Sequence, residues 1–217
     1  DIERITTLSA KKLFGITQSD RKPEIAYVIR NSLYLNITSR CPNRCVFCSR
    51  ETSPYVKGHY LGTDNEPTVE ELKDAIGDPS GYDEVVFCGF GESTERLDVL
   101  KEIAGYLKEK GSKVRLDTNG LGDLINGRSI SEELEGLIDT ICISLNTNIE
   151  EEYQKLCHSE YDDPYPALIS FIKKARDYIP DVMISIVGMP GIDVEACRKI
   201  ADDLGVRFRV REYNNVG

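Results

Sequence analysis

The sequence LYLNITSRCPNRCVFC, residues 33–48, places a strand-like run directly before three closely spaced cysteines. In Leu33–Thr38 the apolar residues alternate with polar ones, which is the period of a β-strand with one buried face. Cys41, Cys45 and Cys48 follow in the spacing C-x3-C-x2-C, so three thiolates can reach one small metal centre from a single loop. Thiolates select zinc, cuprous copper or iron–sulfur clusters. The stretch therefore predicts a strand that carries a metal-binding loop at its carboxyl end.

The supply of nearby ligands separates the possible metal centres. A structural zinc ion takes four protein ligands at short spacing, but the nearest histidine, His59, lies eleven residues beyond Cys48. A 4Fe–4S cluster bound by three cysteines leaves one iron open to a small molecule. The other four of the seven cysteines are scattered singly, which is typical of buried thiols without a catalytic role. We therefore favour an iron–sulfur cluster with an exogenous ligand over a zinc knuckle.

Strand-like runs alternate with helical patterns along the rest of the chain. The runs are Leu33–Thr38, Glu84–Cys88, Lys113–Asp117, Thr140–Leu145, Val182–Val187 and Val206–Arg211. Apolar residues recur at helical spacing within 69–76, 100–107, 134–138, 168–179 and 194–204. Such alternation implies parallel strands with right-handed crossovers, and six strands are too few for a complete eight-stranded barrel. We therefore predict an α/β fold, a partial (β/α)6 barrel with its site at the C-terminal ends of the strands.

The length of 217 residues suits one domain with a small extension. We predict that residues 1–30 form an N-terminal lead-in, with a helix around Thr7–Phe14 and an extended segment at Ala26–Ile29. Residues 31–217 are then the barrel domain.

Charge and hydropathy exclude two classes of partner. The chain has a formal net charge of −10, and a surface this acidic disfavours binding to a nucleic-acid backbone. No window approaches the length of a membrane span, and the N-terminus lacks the apolar region of a signal peptide. An odd cysteine count without an export signal also disfavours a disulfide framework. We therefore expect a cytoplasmic protein that binds neither nucleic acid nor membrane.

The alternation in the last predicted strand separates charged residues from apolar ones. Arg207, Arg209 and Arg211 point to one face, while Val206, Phe208 and Val210 point to the other and should meet the helices. The arginines, together with Arg115 on the third strand, are then directed into the barrel. Arg115, Arg209 and Arg211 are candidates to bind a substrate carboxylate or phosphate, for which arginine offers a bidentate fork. The alternative is a structural ion-pair network with Asp117 and Glu212.

Four further motifs, together with the cysteine loop, are similar to those of the radical S-adenosylmethionine (SAM) superfamily. CGFGEST, residues 88–94, resembles the GGEP motif of that superfamily, with Phe90 and Ser93 as departures. DTNG at 117–120, ISLNT at 143–147 and VGMPG at 187–191 end the next three strands, where superfamily members contact SAM. More narrowly, the sequence from Ala26 to Gly217 resembles the TatD-family-associated radical SAM proteins.

The resemblance implies specific site residues. Cys41, Cys45 and Cys48 would bind three irons, and SAM would bind the fourth. We expect a positive φ at Gly91, where a side chain would stand in the way of the ligand. For the short polar residues at the strand ends, turn formation and helix capping are the alternative. The residues that the resemblance assigns to SAM are Phe47, Gly89, Phe90, Gly91, Glu92, Thr118, Asn119, Ser144, Asn146, Val187 and Met189.

The resemblance also implies an activity. A 4Fe–4S cluster, reduced by a donor such as ferredoxin or flavodoxin, would cleave SAM to a 5′-deoxyadenosyl radical that abstracts hydrogen from a small-molecule substrate. A link to a TatD-type hydrolase follows from the narrower family. Two alternatives stay open: an activase that generates a radical on a partner protein, and a non-enzymatic zinc or iron–sulfur binding module.

Overall fold

The computed structural model describes residues 22–62 and 66–213, and the helix predicted around residues 7–14 lies outside these ranges. Nine strands belong to two sheets. They are β1 Ala26–Ile29, β2 Ser32–Leu35, β3 Tyr55–Val56, β4 His59–Tyr60, β5 Glu84–Phe87, β6 Val114–Thr118, β7 Thr140–Ser144, β8 Asp181–Gly188 and β9 Arg207–Glu212. All six strands predicted from the sequence are present, with bounds that differ by at most three residues.

The main sheet has the order β1-β2-β5-β6-β7-β8-β9. From β2 to β9 every neighbouring pair is parallel, beginning with Leu33 opposite Val85. β1 adds an antiparallel strand outside β2, with Ala26 opposite Leu35. The sheet does not close, because β1 and β9 are its two edges. The predicted α/β class and partial barrel are confirmed, and the extended segment at Ala26–Ile29 proves to be an edge strand.

Within the described ranges, six α-helices connect these strands: α1 Val69–Ile76, α2 Leu97–Glu109, α3 Gly122–Asn126, α4 Glu150–Cys157, α5 Pro164–Tyr178 and α6 Val194–Leu204. Thr68 begins α1 with a capping box that includes Glu71, and Asp193 caps α6. The helix predicted at 134–138 is wrong. A short 3-10 turn, Glu132–Leu134, lies there instead, and Gly136 with φ of 71° cannot continue a helix. None of the helices in the described ranges is long and apolar enough to cross a membrane.

The apolar residues of the strands pack against the helices in one large core, as the alternation predicted. Leu35, Phe87 and Leu116 are fully buried there. Val206 and Phe208 are half-buried against the same core, but Val210 is 41% exposed, so its predicted contact with the helices is wrong. β9 is an edge strand, and α6 covers it at Phe208, where the Arg198 guanidinium lies 4.7 Å from the ring centre.

The concave face of the sheet is lined mostly by polar side chains, but protein fills one side of it. The β3–β4 hairpin covers a second small core of Tyr27, Leu61 and Phe90 beside the β1–β2 edge. The rings of Tyr27 and Tyr34 stack at 5.5 Å between centroids within this region. The hairpin and this second core therefore occupy the part of the concave face beside β1 and β2.

Candidate active site

The three clustered cysteines lie where the sequence predicted them, in the loop that follows β2. All three are free and half-buried. A turn closes the end of the loop, because the Cys48 amide donates to the Cys45 carbonyl at 2.9 Å. The Arg50 guanidinium crosses the base of the loop and donates to the carbonyl oxygen of Ser39 at 2.9 Å.

The carboxyl end of α4 holds this loop from the other side. The amides of Arg44 and Val46 donate to the carbonyls of Cys157 and Leu156, each at 2.9 Å. The last carbonyls of a helix have no intrahelical partner, and here the cysteine loop supplies the missing donors. The side-chain amide of Asn43 adds a bond to the Tyr153 hydroxyl at 3.3 Å. The sequence reasoning did not find this helix, although its two buried residues, Tyr153 and Cys157, stand four positions apart.

The loop after β5 is held by a side chain that the sequence reasoning missed. Asn36, fully buried on the inner face of β2, accepts from the Phe90 amide at 3.1 Å and donates to the Leu61 carbonyl at 3.1 Å. A Cβ on Gly89 would lie 2.1 Å from the Asn36 side-chain oxygen. Gly89 is therefore needed here because the asparagine occupies the space beside it.

The prediction for the backbone of Gly91 is wrong. Gly91 is not among the residues with positive φ. A Cβ at this position would lie 2.4 Å from the Thr38 carbonyl oxygen and 2.6 Å from that of Arg40. The neighbouring Glu92 amide donates to the same Arg40 carbonyl at 2.8 Å. The close approach at Gly91 is therefore between two segments of the protein, the β5 loop and the start of the cysteine loop.

The Glu92 carboxylate joins the β5 and β6 loops. Its Oε1 accepts from the amide and hydroxyl of Thr94 and from the Thr118 hydroxyl, at 2.9–3.1 Å. Its Oε2 accepts from the Asn119 amide at 2.7 Å. Burial raises the pKa of Glu92, although these four donors favour the ionised form. Oε2 accepts one bond and has a lone pair left for a further donor.

Replacing this carboxylate by an amide tests its role as an acceptor. In Glu92→Gln an NH2 group must face at least one of the existing donors, and the free energy of unfolding should fall by about 1–3 kcal/mol. Urea denaturation measures the change. Glu102→Gln, at a glutamate whose exposed side chain pairs with Lys73, is the control and should shift stability by under about 0.5 kcal/mol. Equal stability of the two variants would show that the buried carboxylate is dispensable.

The strand ends after β6 and β7 bring four predicted residues toward the cysteine loop. The Thr118 hydroxyl donates to Glu92 and accepts from the Gly120 amide, so the turn-forming role that we gave as the alternative is observed. Asn119 accepts from the Leu121 amide, while its Nδ2 lies 3.8 Å from the Cys41 sulfur. Ser144 accepts from Arg211 at 3.3 Å.

Asn146 is unusual in two ways. Its backbone has φ of 65°, the left-handed region, and its side chain is 4% exposed. Nδ2 donates to the Cys157 sulfur at 3.5 Å, while Oδ1 is buried without a hydrogen-bond partner. An unpartnered buried acceptor is costly, so this oxygen fits a ligand donor.

The remaining predicted SAM contacts are partly used in packing. Phe47 is half-buried against the main core, and Phe90 is 8% exposed within the second core. Val187, 9% exposed, lies on the inner face of β8 opposite Arg211 of β9. The Met189 amide donates back to the Val187 carbonyl at 2.8 Å, which forms a tight turn.

The structure separates the arginines into two groups. Arg115 is 8% exposed and lies 3.3 Å from Glu84, 3.5 Å from Asp117 and 3.1 Å from the Tyr34 hydroxyl. Burial lowers the pKa of Arg115, but the two carboxylates outweigh it and raise the pKa overall. Arg115 thus lies in a structural ion-pair network, as in the alternative to substrate binding, with Asp117 as predicted and with Glu84 in place of Glu212.

The arginines of β9 differ from Arg115. Arg207 pairs with Asp181 at the far end of the strand. Arg209 is exposed and has no ion-pair partner in the part of the chain that the structure describes, and Arg211 donates only to Ser144. These two guanidinium groups are the ones free to bind an anion.

The protein environment keeps the cysteine loop in its thiol form. Burial raises the pKa of Cys41 to about 12, and the Glu92 carboxylate adds to this effect. Burial also raises the pKa of Cys48. A hydrogen bond with the Cys157 thiol, together with burial, raises the pKa of Cys45. Metal binding must therefore displace protons from these sulfurs.

The residues present fit a small thiolate-bound cluster. Among the described residues, no three Cys, His, Asp or Glu side chains lie close enough to hold a single ion. The fit to a cluster is therefore judged from the chemistry of the sulfur donors and from the groups that surround them. Three free thiols lie in one hydrogen-bonded loop. The side-chain amide of Asn119 and the buried thiol of Cys157 lie beside them. Soft sulfur donors with nearby hydrogen-bond donors suit an iron–sulfur cluster.

A cavity of about 470 Å³ adjoins the loop on its other side. Its lining comes from both sides of the cysteine cluster in sequence and from the tip of the β5 loop, and includes Ser39, Arg50, Thr52, Pro54, Gly62 and Phe90. Of the predicted site residues only Phe90 borders it.

The chain is similar to several known proteins. A sequence profile described as "Radical SAM superfamily" matches residues 35–204. The 7-carboxy-7-deazaguanine synthase of Methanocaldococcus jannaschii is 25% identical over 191 residues, which are 82% of this chain and 72% of that protein. A second protein of this organism, provisionally named a glycyl-radical enzyme activating enzyme, is 32% identical over 111 residues, 51% of this chain and 42% of that protein.

The fold is also found among solved structures. The crystal structure of Streptococcus suis SuiB bound to S-adenosylmethionine matches with a TM-score of 0.60 at 17% identity, over 84% of this chain and 38% of SuiB. This likeness shows a shared fold. The chain spans about half the length of most of the curated relatives that it matches.

Proposed function

The chain belongs to the radical SAM superfamily, whose members are enzymes that use a 4Fe–4S cluster and S-adenosylmethionine, and on this premise we propose that it cleaves SAM reductively. When bound, the reduced cluster and SAM supply a 5′-deoxyadenosyl radical that takes hydrogen from a substrate. The observation that carries the proposal is the loop with Cys41, Cys45 and Cys48 at the carboxyl end of β2, held on one side by α4.

The remaining residues of the site orient the cofactor. Asn146 Oδ1 and the free lone pair of Glu92 Oε2 are acceptors suited to hydroxyl and ammonium donors of SAM. The side chains of Val187 and Met189 offer apolar surface for the adenine.

A direct assay tests this function. The protein is isolated anaerobically, loaded with iron and sulfide, and incubated with SAM and dithionite. We expect about four irons per chain and formation of methionine and 5′-deoxyadenosine. A protein that binds zinc at unit stoichiometry and no iron contradicts the proposal and favours a zinc-binding module.

The substrate is proposed to be an anionic small molecule. Arg209 and Arg211 lie on the inner face of β9, opposite Ser185 and Val187 of β8, near the carboxyl ends where the cofactor binds. The whole chain carries a net charge of −10, so two unpaired guanidinium groups at this position are a local exception that favours a carboxylate or phosphate.

Changing the shape of one cation tests substrate binding. In a panel of carboxylated and phosphorylated metabolites, the substrate is the compound that raises 5′-deoxyadenosine formation. For that compound, Arg211→Lys should lower kcat/KM by about 10- to 100-fold, because lysine keeps the charge and loses the bidentate fork. Arg207→Lys, at the arginine paired with Asp181, is the matched control. Wild-type kcat/KM in Arg211→Lys contradicts the anionic-substrate proposal.

Several finer assignments remain proposals. An external one-electron donor such as ferredoxin or flavodoxin reduces the cluster. The chain acts in the cytoplasm, and it belongs to the TatD-associated subgroup with a functional link to a TatD-type hydrolase. The relatives named above do not carry that subgroup name, so the motifs of the sequence are its sole support.

A second candidate is an activase that generates a radical on a partner protein. Two observations favour it: the similarity to a protein provisionally named as a glycyl-radical enzyme activating enzyme, and the exposed edge strand β9 with Val210 at 41% exposure. A radical detected by electron paramagnetic resonance on a co-purified protein, with no turnover of any metabolite, distinguishes it from the first candidate.

A further inference from the structure

The cysteine loop carries positive charge in a chain whose net charge is −10. Residues 39–50 contain three arginines and no acidic residue. Arg40 pairs with Glu66, and Arg50 donates to a backbone carbonyl at the base of the loop. Arg44 is exposed and has no ion-pair partner among the residues that the structure describes. Its charge is therefore available to a molecule that approaches the loop from solvent.

An exposed apolar residue lies next to this cation. Val46 is 54% exposed, more than the other exposed large apolar residues of the described chain. Cys45, between Arg44 and Val46, is half-buried, so successive side chains of this segment alternate between solvent and the interior. Arg44 and Val46 therefore flank a proposed cluster ligand on its solvent-facing side.

A second exposed cation comes from α4, the helix that holds the loop. The amides of Val46 and Arg44 donate to the carbonyls of Leu156 and Cys157, each at 2.9 Å. Lys155, directly before these two acceptors, is exposed and has no ion-pair partner within the described ranges. The acidic residues of α4 lie in its first turn, whereas the loop contacts its last turn. We call Arg44, Val46 and Lys155 the loop patch.

The position of the loop patch suits electron delivery. The proposed cleavage of SAM needs an electron from outside, and the rate of electron transfer falls steeply with the distance between donor and acceptor. The inner side of the loop faces the β6 loop, through the contact of Cys41 with Asn119, and there we place SAM. A protein that delivers the electron must therefore approach from the outer side, where the loop patch lies.

We propose that the loop patch is the docking surface for an acidic one-electron carrier protein. Its two cations meet carboxylates of the carrier, and Val46 packs against an apolar residue beside the redox group of the carrier. One electron passes from the reduced carrier to the cluster, and no covalent bond forms or breaks in this step. Electron-transfer complexes have small interfaces, and charge complementarity mainly raises their association rate. The proposal rests on the proposed function, because it assumes a cluster in this loop.

The test compares two reductants on the full chain loaded with iron and sulfide. The first is flavodoxin, an acidic flavin protein, which NADPH and flavodoxin reductase keep reduced. It is supplied at concentrations where 5′-deoxyadenosine formation is proportional to flavodoxin. The second is excess dithionite, a small reductant that needs no docking surface. Calorimetry at low ionic strength separately gives the Kd for oxidised flavodoxin, which does not depend on turnover.

The variants reverse one charge at a time. Arg44→Glu and Lys155→Glu alter the loop patch and leave the backbone amides and carbonyls that join the loop to α4. Lys113→Glu is the matched control, because it changes the net charge of the chain by the same amount. Lys113 is exposed, has no ion-pair partner in the part of the chain that the structure describes, and directly precedes β6. It therefore lies at the end of the parallel sheet opposite the cysteine loop.

We expect Arg44→Glu and Lys155→Glu each to lower the flavodoxin-driven rate by about 10-fold and to raise the Kd for flavodoxin. The dithionite-driven rate should stay within about twofold of the wild type, because the small reductant does not dock. Lys113→Glu should match the wild type with both reductants. Added salt should slow the flavodoxin-driven reaction of the wild type more than that of the two patch variants.

Three outcomes overturn the proposal. The first is a wild-type flavodoxin-driven rate and Kd in both patch variants. The second is an equal loss in Lys113→Glu, which makes the effect one of net charge. The third is an equal loss with dithionite, which means that the variants disturb the cluster and not the docking of a carrier.

Failure of the proposed function gives a different result. A wild-type protein that cleaves no SAM with dithionite contradicts the proposed function. A wild-type protein that cleaves SAM with dithionite but neither binds flavodoxin nor accepts its electrons overturns the docking surface alone.

Discussion

The Cys41→Ala protein is expected to lose most of its iron and to form 5′-deoxyadenosine at no more than about one hundredth of the wild-type rate. Cys41 is one of the three proposed cluster ligands, and the sequence has no fourth cysteine grouped with them. Its sulfur also contacts Asn119 of the β6 loop. Alanine therefore removes both a ligand and a contact between two loops of the site. Iron and sulfide content, with the visible absorption spectrum, report the loss directly.

The control for this experiment is Cys197→Ala, which removes a buried sulfur that belongs to α6 and contacts Asn148. It should keep wild-type iron content and SAM cleavage, although the lost packing lowers stability. Retained turnover in Cys41→Ala would mean that another residue supplies the third ligand and would falsify our assignment of the loop.

Gly91→Val should lower the free energy of unfolding by about 1–3 kcal/mol or more and reduce the iron content of the folded fraction. The Cβ alone would lie 2.4 Å from the Thr38 carbonyl oxygen and 2.6 Å from that of Arg40, and valine adds two methyl groups. Both oxygens belong to rigid backbone that leads into Cys41, so relief of the contact must move the cysteine loop. Urea denaturation measures stability, and iron analysis measures the effect on the loop.

Gly105→Ala is the matched glycine control. Gly105 lies within α2, and a Cβ there would first meet Leu137 at 4.0 Å. Alanine should stabilise the helix by about 0.5–1 kcal/mol, because glycine loses more conformational freedom on folding. If Gly91→Val proves as stable as the wild type, the two loops are not in the contact described.

The strands were predictable from sequence because their pattern is local. Leu33, Leu35 and Ile37 alternate with Tyr34, Asn36 and Thr38, and the structure buries the first set against the helices. The same reasoning placed Arg209 and Arg211 on the inner face of β9. The cysteine spacing likewise located the loop that we propose as the cluster site, because spacing can be read from neighbouring residues in the sequence.

Contacts between distant segments were not predictable in this way. The Asn36 side chain bonds to Phe90 of the β5 loop and to Leu61, and no alternation distinguishes a buried asparagine with two such partners from a solvated one. The failed helix at 134–138 had three apolar residues at helical spacing, but Gly136 requires a left-handed backbone. The role of Gly91 was misjudged because only the folded chain shows which backbone faces it.

The anchoring of the cysteine loop by α4 has a consequence for how the protein matures. The Arg44 amide bonds to the carbonyl of Cys157, 113 positions later in the chain. At roughly 5–20 residues per second, a ribosome needs about 6–23 s to reach the second partner after making the first. During that interval the three thiols have been synthesised without the segment that shapes their loop. We therefore expect stable insertion of the proposed cluster only after α4 has been synthesised. The separation of the two segments along the sequence sets this order.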